Sequence, residues 1–385
     1  MAHCNTIFHQ MLKLMPRHHF ARLEEEHGTG RKARSFTRWS QLVHLLFMQL
    51  TSRASLRDGV FSLKARLKSL YHLGLRPVAR STFADANNRR PASFFEALFA
   101  LMYQRCLTRA PRHRFKFKNK LYSLDATVVS LCLSLFPWAS FRRTKAGIKL
   151  HTLLDHDGYL PAFVAVTPAR QHEIQKARAL AFPRGSIVVE DLGYTDYPWY
   201  GQLTAQKIFF VTRQKRNARY DILQERPVNC SQGVLADQTI RLTGAQAKAC
   251  PHLLRRITYR DPATGKRYVF LTNHFRLSAR TIADIYKERW QIEIFFRFIK
   301  QNLKIKAFIG NSRNAVMTQI YAALIVYLLL CYLKFLCNLN VTLQYFLRIL
   351  QLNLFRRCSF QELLEPPEPL PKYMSDYPQL TLPLA

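Results

Sequence analysis

The apolar positions of the first 110 residues recur at steps of three and four, the period of helices packed on one face. Trp39 to Leu50 carries Leu42, Val43, Leu46, Phe47 and Leu50 in this way. Further helices are expected over Leu56–Tyr71, Thr82–Asn88 and Ala92–Leu107, with Ser81 capping the third after the breakers Gly74 and Pro77. From Pro111 the period changes. RHRFKFKNK alternates basic with aromatic or polar residues, as a strand or linker lying along a phosphate backbone would. Strands are expected at Leu121–Leu124, Gly147–Leu154 and Tyr159–Thr167, the last two joined through the hairpin signal Asp157-Gly158. A helix over about His172–Ala181 and a β-branched strand at Ser186–Glu190 follow.

Three antiparallel strands, a helix and another strand is the order of an RNase H-like α/β core. IFFVTR, QTIRLT, RRITYR and YVFLTN then suggest a basic, strand-rich insertion. A long helix resumes around Tyr286, and core helices at Asn311–Leu336 and Gln344–Leu352 close the fold. The expected organisation is a helical N-terminal DNA-binding domain (1–110) and a first part of the core with two aspartates (111–200). A β-rich insertion (201–278), a second part of the core (279–360) and a proline-rich tail (361–385) complete it. Ile320 to Leu333 is continuously apolar, but it is shorter than the ~20 residues of a spanning helix and Lys334 follows. A buried core helix is expected there, and no membrane partner.

Charge changes the picture most. Fifty-eight Lys and Arg against 24 Asp and Glu give +34 over 385 residues, spread along the whole chain. A polyanion is the natural partner, and nucleic acid fits better than a membrane surface. Arg76, Arg80, Arg89 and Arg90 bracket one N-terminal helix as groove-binding residues would, and Arg114, Lys116 and Lys118 come from the alternating segment. The eight cysteines show neither CxxC nor zinc-ligand spacing, so they are expected as thiols in a reducing compartment. The first twenty residues lack the apolar run of a secretory signal, and a cytoplasmic, nucleoid-associated location is expected.

In YKERWQIEIFFRFIK, helical spacing puts Tyr286, Arg289, Glu293 and Lys300 on one face. Ile285, Ile292, Phe296, Ile299 and Leu303 form a second stripe facing a core. The alternation of Ile292, Ile294, Phe296 and Phe298 also allows a short strand. A carboxylate flanked by Arg, Lys and Tyr suits a phosphodiester beside a metal ion. Two such ions need about three carboxylates from separate elements. Asp125, closing LYSLD, and Asp191, closing SIVVED, arrive at strand ends. Glu190, Asp196, Asp155 and Asp157 are nearby alternatives, Asp157 being engaged by the turn.

These motifs together resemble the DDE-type transposases of bacterial insertion sequences, in the group with the Tyr-Arg-Glu-Lys signature (the IS-four family). Tyr286, Arg289, Glu293 and Lys300 match that signature without a gap, SLDAT its first Asp motif and DLGYTDY its second. FTRWSQLVHLLFMQL, SLRDG and STFADANNRR are similar to the helical N-terminal domain of one branch. The resemblance implies an RNase H-like core with a β insertion, and two Mg²⁺ ions (or Mn²⁺) held by Asp125, Asp191 and Glu293. It implies phosphate contacts from Tyr286, Arg289 and Lys300. It further implies cleavage at the terminal inverted repeats of an element in double-stranded DNA, 3′-OH attack on target DNA, and a homodimer on the DNA. Leu192 stands where related sequences carry Arg, and Trp39, Trp138, Trp199 and Trp290 all lie outside the insertion. The resemblance also implies a DNA hairpin with a flipped base held by an aromatic residue of the insertion, which here would have to be one such as Tyr259 or Tyr268. Two other readings share the motifs: an inactive DNA-binding relative acting as repressor, and a metal-dependent nuclease without strand transfer.

Overall fold

The computed structural model describes residues 5–28, 33, 35–244, 247–305 and 307–364. Seven helices come first: α1 (Ile7–Lys13), α2 (Arg17–Glu26), α3 (Arg38–Leu50), α4 (Leu56–Lys64), α5 (Leu67–Leu70), α6 (Arg80–Arg89) and α7 (Ser93–Leu107). The expected helix over 56–71 is broken, because Arg66 leaves helical geometry at φ −117°, ψ 38°. Ser81 is not a cap: α6 starts at Arg80 behind Ala79, which puts Ser81 in its first turn. Caps do hold α3, where Thr37 Oγ1 accepts from Ser40 N at 3.1 Å, and α4, where Ser55 Oγ accepts from Asp58 N at 3.1 Å.

Next come β1 (Leu121–Leu131), β2 (Ser140–Arg142), β3 (Lys145–Asp155), β4 (Leu160–Pro168), α8 (Glu173–Ala177), β5 (Ile187–Glu190), α9 (Tyr197–Ala205) and β6 (Phe209–Arg213). β3 lies between β4 and β1, antiparallel to both, while β5 and β6 continue parallel to β1. This is the RNase H-like arrangement. IFFVTR is therefore the fifth core strand rather than the opening of an insertion. The inserted strands are β7 (Tyr220–Glu225), β8 (Val234–Leu242), β9 (Leu254–Arg260) and β10 (Arg267–Thr272). They extend the same sheet, since β10 pairs antiparallel with β6.

The chain closes with α10 (Ala279–Glu288), α11 (Trp290–Gln301), α12 (Arg313–Leu336), α13 (Leu343–Asn353) and α14 (Phe360–Leu364). Residues 361–364 of the expected tail are thus helical, and the rest of it lies outside the described residues. α12 is long and apolar enough to cross a membrane, but 94% of its most apolar window is buried inside the protein. It packs against α3, α6, α7, β4, α11 and α13. The N-terminal helices and the RNase H-like core therefore share one apolar core through α12. Helix-to-helix burial explains why eighteen of its residues can be shielded without lipid.

Candidate active site

Strand period decides which way the aspartates face. In β1, Leu121 packs toward the layer holding Ile282 and Ile285 of α10, whereas Tyr122 and Leu124 pack toward the other layer. Two-residue alternation puts Asp125 on the side of Leu121, under α10 and α11. β1 does not end at Asp125 but runs to Leu131; what ends there is its pairing with β5, whose last partners are Leu124 and Glu190. Asp125 and Asp191 are each the next residue along, and so lie side by side.

The expected single helix tightens at Arg289. Arg289 N donates to Tyr286 O and Ile292 N to Arg289 O, both at 3.1 Å and both three residues back, which separates α10 from α11. The face survives the break. Ile285, Ile292, Ile299 and Leu303 are buried on one side, so 292–298 is helix and not strand. On the other side Arg289 Nη1 lies 3.2 Å from Asp125 Oδ2 and Nη2 lies 2.7 Å from Glu293 Oε1. Tyr286 OH reaches Asp191 Oδ1 at 3.4 Å. Lys300 Nζ donates to Thr127 Oγ1 and, at 3.0 Å, to Val128 O.

Arg213 was not singled out from the sequence. It closes β6 as Asp191 follows β5, and its Nη2 meets Asp191 Oδ1 at 3.0 Å. Only the parallel pairing of β6 with β5, which brings the ends of IFFVTR and SIVVED together, reveals it. Glu173 of α8 was also missed. It pairs with Lys149 at 3.1 Å and is one of the like charges felt by Asp125.

Burial pushes Asp125 up to about 6, against the Ala126 N–H and Arg289, with Asp191 and Glu173 adding to the rise. Burial acts on Asp191 in the same direction, yet the Leu192 N–H, Arg213 and Arg289 bring it below the ordinary range. Among the described residues, no three His, Cys, Asp or Glu are grouped closely enough to form a ready metal cage. Arginines lie among the carboxylates instead. Among the described residues, Arg289 Nε and Arg213 Nε are buried without a hydrogen-bond partner, which leaves two donors for an anion. A set of oxygen donors with one desolvated carboxylate suits Mg²⁺, and the orphaned guanidinium N–H groups beside it suit a phosphate.

The alternative carboxylates are engaged elsewhere. Asp155 accepts from Tyr103 OH at 3.0 Å and Lys120 Nζ at 2.9 Å, and Asp157 from Lys120 Nζ at 2.7 Å. Asp196 caps α9 through Trp199 N at 2.9 Å and pairs with Arg178. Glu190 is fully buried, and burial raises it well above the carboxylate range. Of the expected DNA-binding arginines, Arg76, Arg80 and Arg89 are exposed, but Arg90 is not available. Its guanidinium donates to Phe36 O and to Gln41 Oε1 at 3.3 Å, holding α6 to α3. The segment 112–120 forms no strand, yet its alternation still works: Phe115 and Phe117 stack at 5.1 Å while Lys116 and Lys118 stay exposed. Arg114 is exposed and pairs with Glu288 at 2.6 Å.

Beside the carboxylates a cavity of about 360 Å³ opens between the insertion and α10–α11. Tyr259, Tyr268 and Phe270 form one wall, Trp290 and Tyr286 another, and Arg213 and Arg289 join it to the catalytic row. Trp290 is 51% exposed. The insertion has no tryptophan, and the helix supplies one from the opposite side.

A family described as Transposase DDE domain matches residues 116–329, and a Domain of unknown function, DUF4372, matches residues 3–76. A putative transposase of Sinorhizobium fredii is 34% identical, over 78% of this chain and 83% of its own. A probable insertion-sequence transposase of Geobacillus stearothermophilus is 31% identical, over 85% of each chain. Among solved structures, a piggyBac transposase synaptic complex with hairpin DNA aligns with a TM-score of 0.45 and 11% identity, over 96% of this chain and 82% of that one.

Proposed function

The chain belongs to the DDE transposases of insertion sequences, enzymes of DNA cleavage and strand transfer, and from that premise we propose how its site works. It cuts double-stranded DNA at the terminal inverted repeats of its own element and joins the freed 3′-OH ends to a target. Asp125, Asp191 and Glu293 would hold two Mg²⁺ ions. Bound there, the ions would supply charge neutralisation and activate first a water and then a 3′-OH for in-line attack. Arg289 and Arg213 offer their Nε donors to phosphate oxygens, and Tyr286 and Lys300 extend the row along the strand. The cavity of Tyr259, Tyr268 and Trp290 receives an unstacked base next to the cut.

One observation carries this reading: neighbouring strands deliver Asp125 and Asp191 side by side, under the helix that brings Arg289 and Glu293. It favours catalysis over a repressor, because a protein that only binds DNA has no use for a half-desolvated carboxylate set. The test incubates the protein with its coding region and flanks, in Mg²⁺, Mn²⁺ or EDTA, and maps products to the nucleotide. Metal-dependent cuts at two inverted repeats, followed by joined products, are expected. Binding without cutting would favour the repressor, and scattered cuts without joining the nuclease.

A further inference from the structure

α11 has a second exposed side. At 100° per residue, Arg297 stands about 40° around the helix from Glu293, and Ile294 about 100°. Past them the surface drops into a groove of about 930 Å³ between α11, the loop before β1, and the α12–α13 turn. Its cations are Arg109, Arg112, Arg297 and Lys334, with Arg114 paired to Glu288, and among the described residues that line it there is no Asp or Glu. The floor is apolar, with Phe298, Phe335 and Leu339, and Ile294 is 44% exposed at its edge. Exposed Asn338, Asn340 and Gln344 stand along the far wall. His156 also lines the groove: it is 1% exposed, its Nε2 faces Ser123 Oγ at 2.7 Å, and its Nδ1 is buried without a partner among the described residues.

We propose that this groove binds a short run of single-stranded DNA, the unpaired strand leaving the catalytic row across Arg297. The cations match phosphates, the exposed carboxamides of Asn338, Asn340 and Gln344 match base edges, and the apolar floor matches the base faces. A duplex keeps its base faces stacked inward and offers this floor nothing. That the strand comes from the catalytic row rests on the proposed function; that the groove takes single-stranded DNA does not.

The experiment uses the full chain with a labelled oligothymidine carrying 4-thiothymidine and a hairpin duplex of equal charge. Arg112→Ala/Lys334→Ala should weaken the single strand by about tenfold or more and make its salt slope shallower by about 1.4. Duplex binding should stay within about twofold. Arg112→Lys/Lys334→Arg should restore single-strand binding, which separates charge from folding. Photo-adducts are expected in 109–114, 291–302 or 334–344. Adducts confined to other segments, equal losses on duplex and single strand, or stronger competition by an acidic peptide than by oligothymidine would each overturn the assignment. If the wild type fails to cut but its groove still cross-links, the catalytic proposal falls and the groove stands. Cutting without groove adducts reverses that outcome.

Discussion

Asp125 stands inside β1 and under α11, whereas Asp191 stands just past the end of β5, at the open rim with Arg213. Their strand positions are adjacent, yet their side chains are 19% and 38% exposed. Burial dominates the first and raises its carboxyl to about 6; hydrogen bonds and arginines overcome burial for the second and lower it. One carboxylate is therefore short of positive charge and the other already has it. A cation entering this site gains most at Asp125, and Asp191 keeps a charged ligand in place beside it.

Substitution should separate the two most sharply. Asp125→Asn and Asp191→Asn should each reduce cutting beyond the ~10–100-fold typical of a residue that only supports a ligand. In EDTA their effects on stability should have opposite signs. Asp125 is raised in the folded state, so its ionisation costs stability as pH rises from about 4 through about 6. Asp125→Asn should then unfold later than wild type at pH 8, by about 3 kcal/mol, and no later at pH 4. Asp191 is lowered, so it stabilises above its unfolded value and loses that as pH falls. Asp191→Asn should unfold earlier at pH 8. Denaturant titrations at the two pH values check both, and like signs would mean that the two carboxylates do not differ in this way.

Arg213→Gln should come next. Removing the partner of Asp191 should move the acid limb of the cutting profile upward and cost about tenfold at neutral pH. Rate-against-pH curves for the variant and wild type read this directly, and an unchanged limb would mean that Arg213 does not govern Asp191. The smallest effect is expected from Trp290→Ala. A 2-aminopurine at the element's end should brighten less on binding if Trp290 stacks on it in wild type and not in the variant, when signals are compared with Trp290→Phe. Equal signals in all three would leave the base elsewhere.

Much of this was legible because periodicity and charge act locally. The four-residue row on α10–α11 and the strands of Asp125 and Asp191 follow from spacings that chain geometry imposes. What stayed hidden depends on neighbours distant in sequence. Arg213 looks like the end of an insertion strand until β6 is seen to pair parallel with β5. Arg90 looks like an exposed groove contact until Phe36 and Gln41 are packed beside it. Trp290 was discounted because it lies outside the insertion, although the cavity draws its walls from both sides. The N-terminal helices looked separable, and α12, buried among them, ties them to the catalytic core.

Binding of a divalent cation between Asp125, Asp191 and Glu293 can be read directly. Fe²⁺ with ascorbate and peroxide in place of Mg²⁺ generates hydroxyl radicals at the bound ion and cuts the polypeptide nearby. Fragments from breaks close to 125, 191 and 293 are expected, suppressed by excess Mg²⁺ and absent from Asp125→Asn. Breaks elsewhere, or breaks at those positions that persist in Asp125→Asn, would contradict it.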